Sequence, residues 1–113
     1  MKYLKKFESL ESRGYKQTTG QLASQSFSRR GGTTEKFSEL ESQKIVKFVN
    51  QIGGEIQEKG ETQIDFYHPM LNATVIVSKG SDEWFYVIDY STVVLTWYEC
   101  DGFEGLMKCL KDL

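Results

Sequence analysis

The chain offers few side chains able to serve as nucleophile, general base or metal ligand: one histidine, His68, and two cysteines, Cys100 and Cys109. His68 stands just before Pro69, where an extended run gives way to a turn, and a lone histidine in that position reads as structural rather than as a proton shuttle. Cys100 precedes a segment of helical pattern, whose amino terminus would favour a thiolate. A Cys100–His68 pair is conceivable, yet neither a third orienting group nor an oxyanion site accompanies it. Asp82-Glu83 reads as a turn, since a metal site needs more ligands at fixed spacing. There is no CxxC pair, no HExxH helix and no phosphate-cradling glycine loop. The expectation is a protein that is not an enzyme and needs neither metal nor cofactor.

The elements around these residues must fit in 113 residues, of which 39% are apolar, 13% aromatic and 27% charged. That length suits one domain able to bury about two thirds of its unfolded surface without staples. No apolar stretch approaches the ~20 residues of a membrane span, and MKYLKKFESL lacks the apolar centre of a secretion signal, so a cytoplasmic location and no membrane partner are expected. Two cysteines are too few for a disulfide scaffold, which agrees with a reducing compartment.

The net charge of −2 hides an asymmetry. Residues 1–36 hold eight basic and three acidic side chains, a balance of +5, and residues 37–113 hold six basic and thirteen acidic, a balance of −7. Within the arm, Leu4, Phe7 and Leu10 at spacings of three predict a short amphipathic leader helix over 1–11, too short to be stable in water without a partner surface. Residues 12–34 contain no acid, and 15 of these 23 residues are Ser, Thr, Gln or Gly, the composition of a solvated linker. Arg29-Arg30-Gly31-Gly32 is a weak form of a nucleic-acid-binding arm.

The third segment, 35–113, reads as a folded domain. Phe37, Ile45, Phe48, Val49 and Ile52 share a helical face; Ser38 with Glu41 offers a capping box, and Thr34 is an alternative start. After a short extended stretch at 55–58, four runs alternate with period two: 62–68, 73–78, 84–90 and 93–99. The intervening turns are short, so the strands must form an antiparallel meander. Phe103, Leu106, Met107 and Leu110 then form the stripe of a terminal helix, with Asp101 and Glu104 spaced as a second capping box. The expected fold is α+β: a two-layer sandwich in which an N-terminal and a C-terminal helix cover one face of a four-stranded antiparallel meander.

Pairing the strands across these turns sets Phe66 against Val75, Val77 against Trp84, and Tyr86 against Trp97. On that register Ile64, Phe66, Val75, Val77, Trp84, Tyr86, Ile88, Leu95 and Trp97 form the core, and Tyr67, Ile76, Phe85, Val87 and Tyr98 lie on the opposite face. A face so apolar is expected to meet a partner, the folded-back arm or a second copy in a homodimer.

Two segments carry a resemblance. Asp82-Glu83-Trp84-Phe85-Tyr86-Val87, and Trp97-Tyr98-Glu99-Cys100-Asp101 leading into Gly102-Phe103-Glu104-Gly105-Leu106, are similar to a small group of uncharacterised proteins of tailed-phage and environmental viral genomes. The opening Met1-Lys2-Tyr3-Leu4-Lys5-Lys6-Phe7-Glu8 resembles the leader of many such proteins. Together these cover about a third of the chain. The resemblance implies a viral source and a shared fold, and brings no activity with it.

Three classes follow. The first is a viral accessory protein acting by protein–protein binding, with a host defence system as a candidate target, through Tyr67, Ile76, Phe85, Val87 and Tyr98. The second is a virion or assembly component that uses residues 1–11 as an address. The third is a single-stranded nucleic-acid binder using Arg29, Arg30 and an open sheet, which the acidic domain disfavours because its field repels phosphate.

Overall fold

A computed structural model describes residues 14–19, 34–91 and 96–113. The leader residues Leu4, Phe7 and Leu10, and Arg29 and Arg30, lie outside the described residues. Among the described residues six strands form one sheet: β1 (Tyr15–Thr19), β2 (Glu55–Lys59), β3 (Gln63–His68), β4 (Ala73–Lys79), β5 (Trp84–Asp89) and β6 (Thr96–Asp101). Their order is β1-β6-β5-β4-β3-β2, with every neighbouring pair antiparallel. Helices α1 (Glu39–Gln51) and α2 (Gly102–Asp112) complete an α+β architecture.

Helix α1 begins at Ser38, whose hydroxyl accepts from the Glu41 N–H while the Glu41 carboxylate accepts from the Ser38 N–H, so the capping box is formed here and not at Thr34. Glu41 also accepts from Lys79 on β4 at 3.0 Å, in a pair that is mostly shielded from water. Burial pushes the Glu41 carboxyl up, but the Ser38 and Lys79 bonds outweigh it and hold the group below its ordinary value. Charge and cap together fasten the start of α1 to the sheet. Ile45, Phe48 and Val49 point inward, as the 3.6-residue period requires.

Helix α2 follows β6 without a loop. Asp101 stands at its N-cap, but its side chain makes no capping bond, so the expected second capping box is absent. Its inward stripe comprises Gly105, Leu106, Cys109 and Leu110.

Residues 15–19, expected to be linker, instead form the sixth strand. The reason is a close approach that only glycine allows. An added Cβ on Gly14 would stand 2.8 Å from the Cα of Gly105, and one on Gly105 would overlap the Gly14 carbonyl. The Asp101 N–H donates to that same carbonyl, the Tyr15 hydroxyl donates to Asp112, and Tyr15 meets Tyr98 edge-on at 6.1 Å. The opposite edge, β2, carries Glu55, Glu58 and Lys59 and a register shift at Gln57, features that discourage further strand addition.

The expected pairing of β3 with β4 is found: Phe66 opposes Val75 and Ile64 opposes Val77. The next turn departs from expectation. Val77 opposes Val87 rather than Trp84, and Lys79 opposes Phe85. Ser81–Glu83 form a 3₁₀ turn, Glu83 takes a positive φ of 62°, and the Gly80 N–H donates to the Trp84 carbonyl at 2.7 Å. These residues lengthen the connection so that the register changes by an odd number, which inverts the faces of β5. The register of β5 with β6 also differs from expectation, Ile88 opposing Trp97 rather than Leu95, but that change is even and preserves the inverted faces.

The core is therefore corrected. Phe85, Val87 and Cys100 join Ile64, Phe66, Val75 and Val77 beneath the helices, packed with Ile45, Phe48, Val49, Leu106, Cys109 and Leu110. Trp84, Ile88 and Trp97, expected inside, are only half-buried and lie on the outer face, as does the buried Tyr86, while Leu95 lies outside the described residues.

Candidate interaction face

On the face away from the helices, register aligns Asp65, Ile76, Ile88 and Trp97 in one cross-strand row. A second row runs Gln63, Ser78, Tyr86 and Glu99. Ile76, Ile88 and Trp97 thus stand side by side on three consecutive strands, all half-buried. Cross-strand apolar neighbours of this kind stabilise one another while keeping an outward surface.

Tyr86 and Glu99 anchor the middle of this face. They are 2% and 1% exposed, yet Tyr86 stands apart from the inner core. Its ring meets Trp97 edge-on at 6.5 Å, and its far edge lies against Gly80, where a Cβ would come within 2.7 Å. The glycine lets the turn close over the ring. In register, Glu99 falls opposite Tyr86 on one side and Lys16 on the other. Towards the β2 edge, Tyr67 donates to Asn72 and the Thr74 hydroxyl bonds Gln57 at 3.0 Å.

Of the residues expected to meet a partner, Tyr67 and Ile76 do lie on this outer face, half-buried. Phe85 and Val87 do not, being 1% and 0% exposed beneath the helices, where Phe85 stacks on Phe37 at 6.3 Å and meets Phe103 edge-on. Tyr98 also faces inward, packed against the core beside Tyr15; burial raises its phenol above the ordinary value, with Cys109 and Asp89 adding to the shift. Trp84, Ile88 and Trp97 take their place on the outer surface. The signal that could have found them is the Gly80 to Glu83 segment, whose glycine and acidic residues suit a longer, left-handed turn.

The candidate chemistry is dispersed. His68 is 3% exposed at one end of the sheet, on the inner face, and Cys100 lies toward the other, so no Cys100–His68 pair forms. His68 Nδ1 accepts from the Leu71 N–H at 3.4 Å, which serves the β3–β4 turn. Burial lowers its pKa, and the Asp89 carboxylate acts in the opposite direction. Asp89 in turn accepts from the Ser91 N–H at 2.7 Å. Two shallow hollows, of about 440 and 400 Å³, lie along α1 and are lined by residues such as Gln43, Asn50, Lys59 and Ser42, away from His68 and both cysteines. Among the described residues no three His, Cys, Asp or Glu side chains are grouped to hold a metal, and no helix is long and apolar enough to cross a membrane.

A scan against protein-family models, a search of curated proteins and a search of solved structures each find no match.

Proposed function

We propose that this protein is a non-catalytic binding module that engages a protein partner through the outer face of its sheet, centred on Ile76, Ile88, Trp97 and Trp84. The supporting observation is the alignment of Ile76, Ile88 and Trp97 across three strands on the face that neither α1 nor α2 covers. Tryptophan is enriched among the residues that dominate binding energy, because it removes a large area from water with few rotors to immobilise. The resemblance of segments 82–87 and 97–113 to phage proteins supports a viral setting, in which the partner is a host component and a defence system the sharper candidate.

The test is affinity capture from host lysate followed by mass spectrometry, comparing the natural chain with an Ile88→Ser, Trp97→Ser variant. Loss of a specific captured protein by a variant that stays folded, its unfolding midpoint lowered by no more than about 10 °C, is the expected result. Equal capture by both proteins would remove the outer face from the proposal.

A further inference from the structure

We infer, resting on the outer face as the binding surface, that its partner is a cationic protein segment, which sets lysine or arginine over the β2 end of the sheet and apolar side chains over Ile88 and Trp97. The register gives the order of these groups. The row that aligns Ile76, Ile88 and Trp97 continues through Asp65 on β3 to Glu58 on β2, so two carboxylates and three apolar groups follow one another across five strands. At the usual strand spacing Asp65 and Trp97 stand about 14 Å apart, a span that a few residues of a partner cover.

Charge is sorted by face. Strand alternation places Glu55, Glu58, Asp65, Glu99 and Asp101 on the outer face, with Glu55, Glu58 and Asp101 exposed. Among the described residues, which hold no arginine, the one lysine whose register position falls there is Lys16, beside Glu99 on the edge strand β1. Every other described lysine belongs to a helix, lines a hollow along α1 or, as Lys79, bonds Glu41 of α1. A face with that balance attracts cations and repels another acidic surface, so its field and its apolar strip select the same kind of partner.

The side chains suit that partner. Asp65 is half-buried, and the Gln63 amide donates to its Oδ1 at 2.9 Å, which orients the carboxylate before a partner arrives. A bond from arginine to a carboxylate is shorter and stronger than one between neutral groups. Trp84 and Trp97, half-buried on this face, bring indole rings, the best of the aromatic side chains for a cation. Tyr90, just beyond β5 and 44% exposed, extends the aromatic surface.

The test selects a random-peptide display library on the immobilised full chain at low salt, then titrates the selected peptides in solution against the natural chain and three variants. Expected are peptides rich in lysine and arginine with interspersed apolar residues, whose affinity falls about tenfold as salt rises from about 50 to about 500 mM. Ile88→Ser with Trp97→Ser should weaken them about thirtyfold or more. Glu58→Gln with Asp65→Asn, which leaves the core untouched, should weaken them about tenfold. Removing two charges from the helices instead, by Glu39→Gln with Glu104→Gln, should weaken them no more than about twofold.

Peptides that depend on Ile88 and Trp97 yet carry acidic or uncharged residues would overturn the cationic partner and leave the face as a binding surface. A selection with no peptide sensitive to the outer-face variants would overturn both. Equal losses from the two charge pairs would mean a general attraction to an acidic protein, and would overturn the cationic partner as well. So would either of two other occupants in the intact chain: the chain's own arm, shown by carbodiimide links from Lys2, Lys5 or Lys6 to Glu58 or Asp65 within one molecule, or a second copy, shown by a dimer that Trp97→Ser dissolves.

Discussion

The two faces of β5 and β6 carry similar residues and have different fates. Inward lie Phe85, Val87, Tyr98 and Cys100; outward lie Trp84, Tyr86, Ile88 and Trp97. By composition alone the outward set is the more aromatic, and it would fill a core at least as well. What separates the sets is the parity of one connection, Gly80 to Trp84, acting on strands with apolar residues at both odd and even positions. In β3 there is no such ambiguity: Ile64 and Phe66 alternate with Gln63 and Asp65, and only one register buries the apolar pair. Alternation specifies a face only when the other face is polar.

The difference can be broken by truncation. Phe85→Ala should cost about 3–5 kcal/mol in urea unfolding, because it empties a site packed against Phe37 and Phe103. Trp97→Ala, although it removes more atoms, should cost only about 1 kcal/mol, since its ring is half-buried and its described ring contact is with Tyr86. The reverse order of losses would restore the tryptophans to the core.

Gly105→Ala tests the tie between α2 and β1 and should cost about 1–3 kcal/mol, as the added methyl overlaps Gly14. Hydrogen exchange should show amides 15–19 losing protection first while β3 and β4 keep theirs. Uniform loss across the sheet would mean that β1 is not separately anchored.

His68 provides a smaller, pH-dependent contrast between the inner polar end and the outer face. Burial places its folded pKa below the ordinary 6.5, so on acidification the unfolded chain takes up a proton that the folded chain refuses. Stability is then full above pH ~6.5 and declines as pH falls toward the folded pKa, below which the loss levels off. Urea midpoints measured from about pH 7.5 to 5.5 should fall in the natural protein and stay flatter in His68→Gln. Equal slopes in both proteins would show that the imidazole is not kept neutral by burial.

Much of the fold was legible locally. The Ser38–Glu41 box, the α1 stripe through Ile45, Phe48 and Val49, the β3–β4 register and the terminal helix each depend on residues close in sequence. The candidate site was legible only in part: Tyr67 and Ile76, on strands whose register is local, were placed on the outer face, whereas Phe85, Val87 and Tyr98 were exchanged for Trp84, Ile88 and Trp97. Strand β1 was missed because Tyr15-Lys16-Gln17-Thr18-Thr19 has one apolar residue and no alternation to announce it. Its place comes from Gly105, 90 residues away, and from the free edge of β6.

By itself, then, the sequence determined the helices, the antiparallel hairpins and the scarcity of catalytic groups, because caps, periodicity and residue types act within a few residues. Tertiary structure decided which aromatic set is buried, where the polar strand docks, and that two cysteines nine positions apart are both enclosed in the core. Those outcomes depend on turn parity and on contacts across the sheet, where the free energy comes from packing distant surfaces together rather than from local preference.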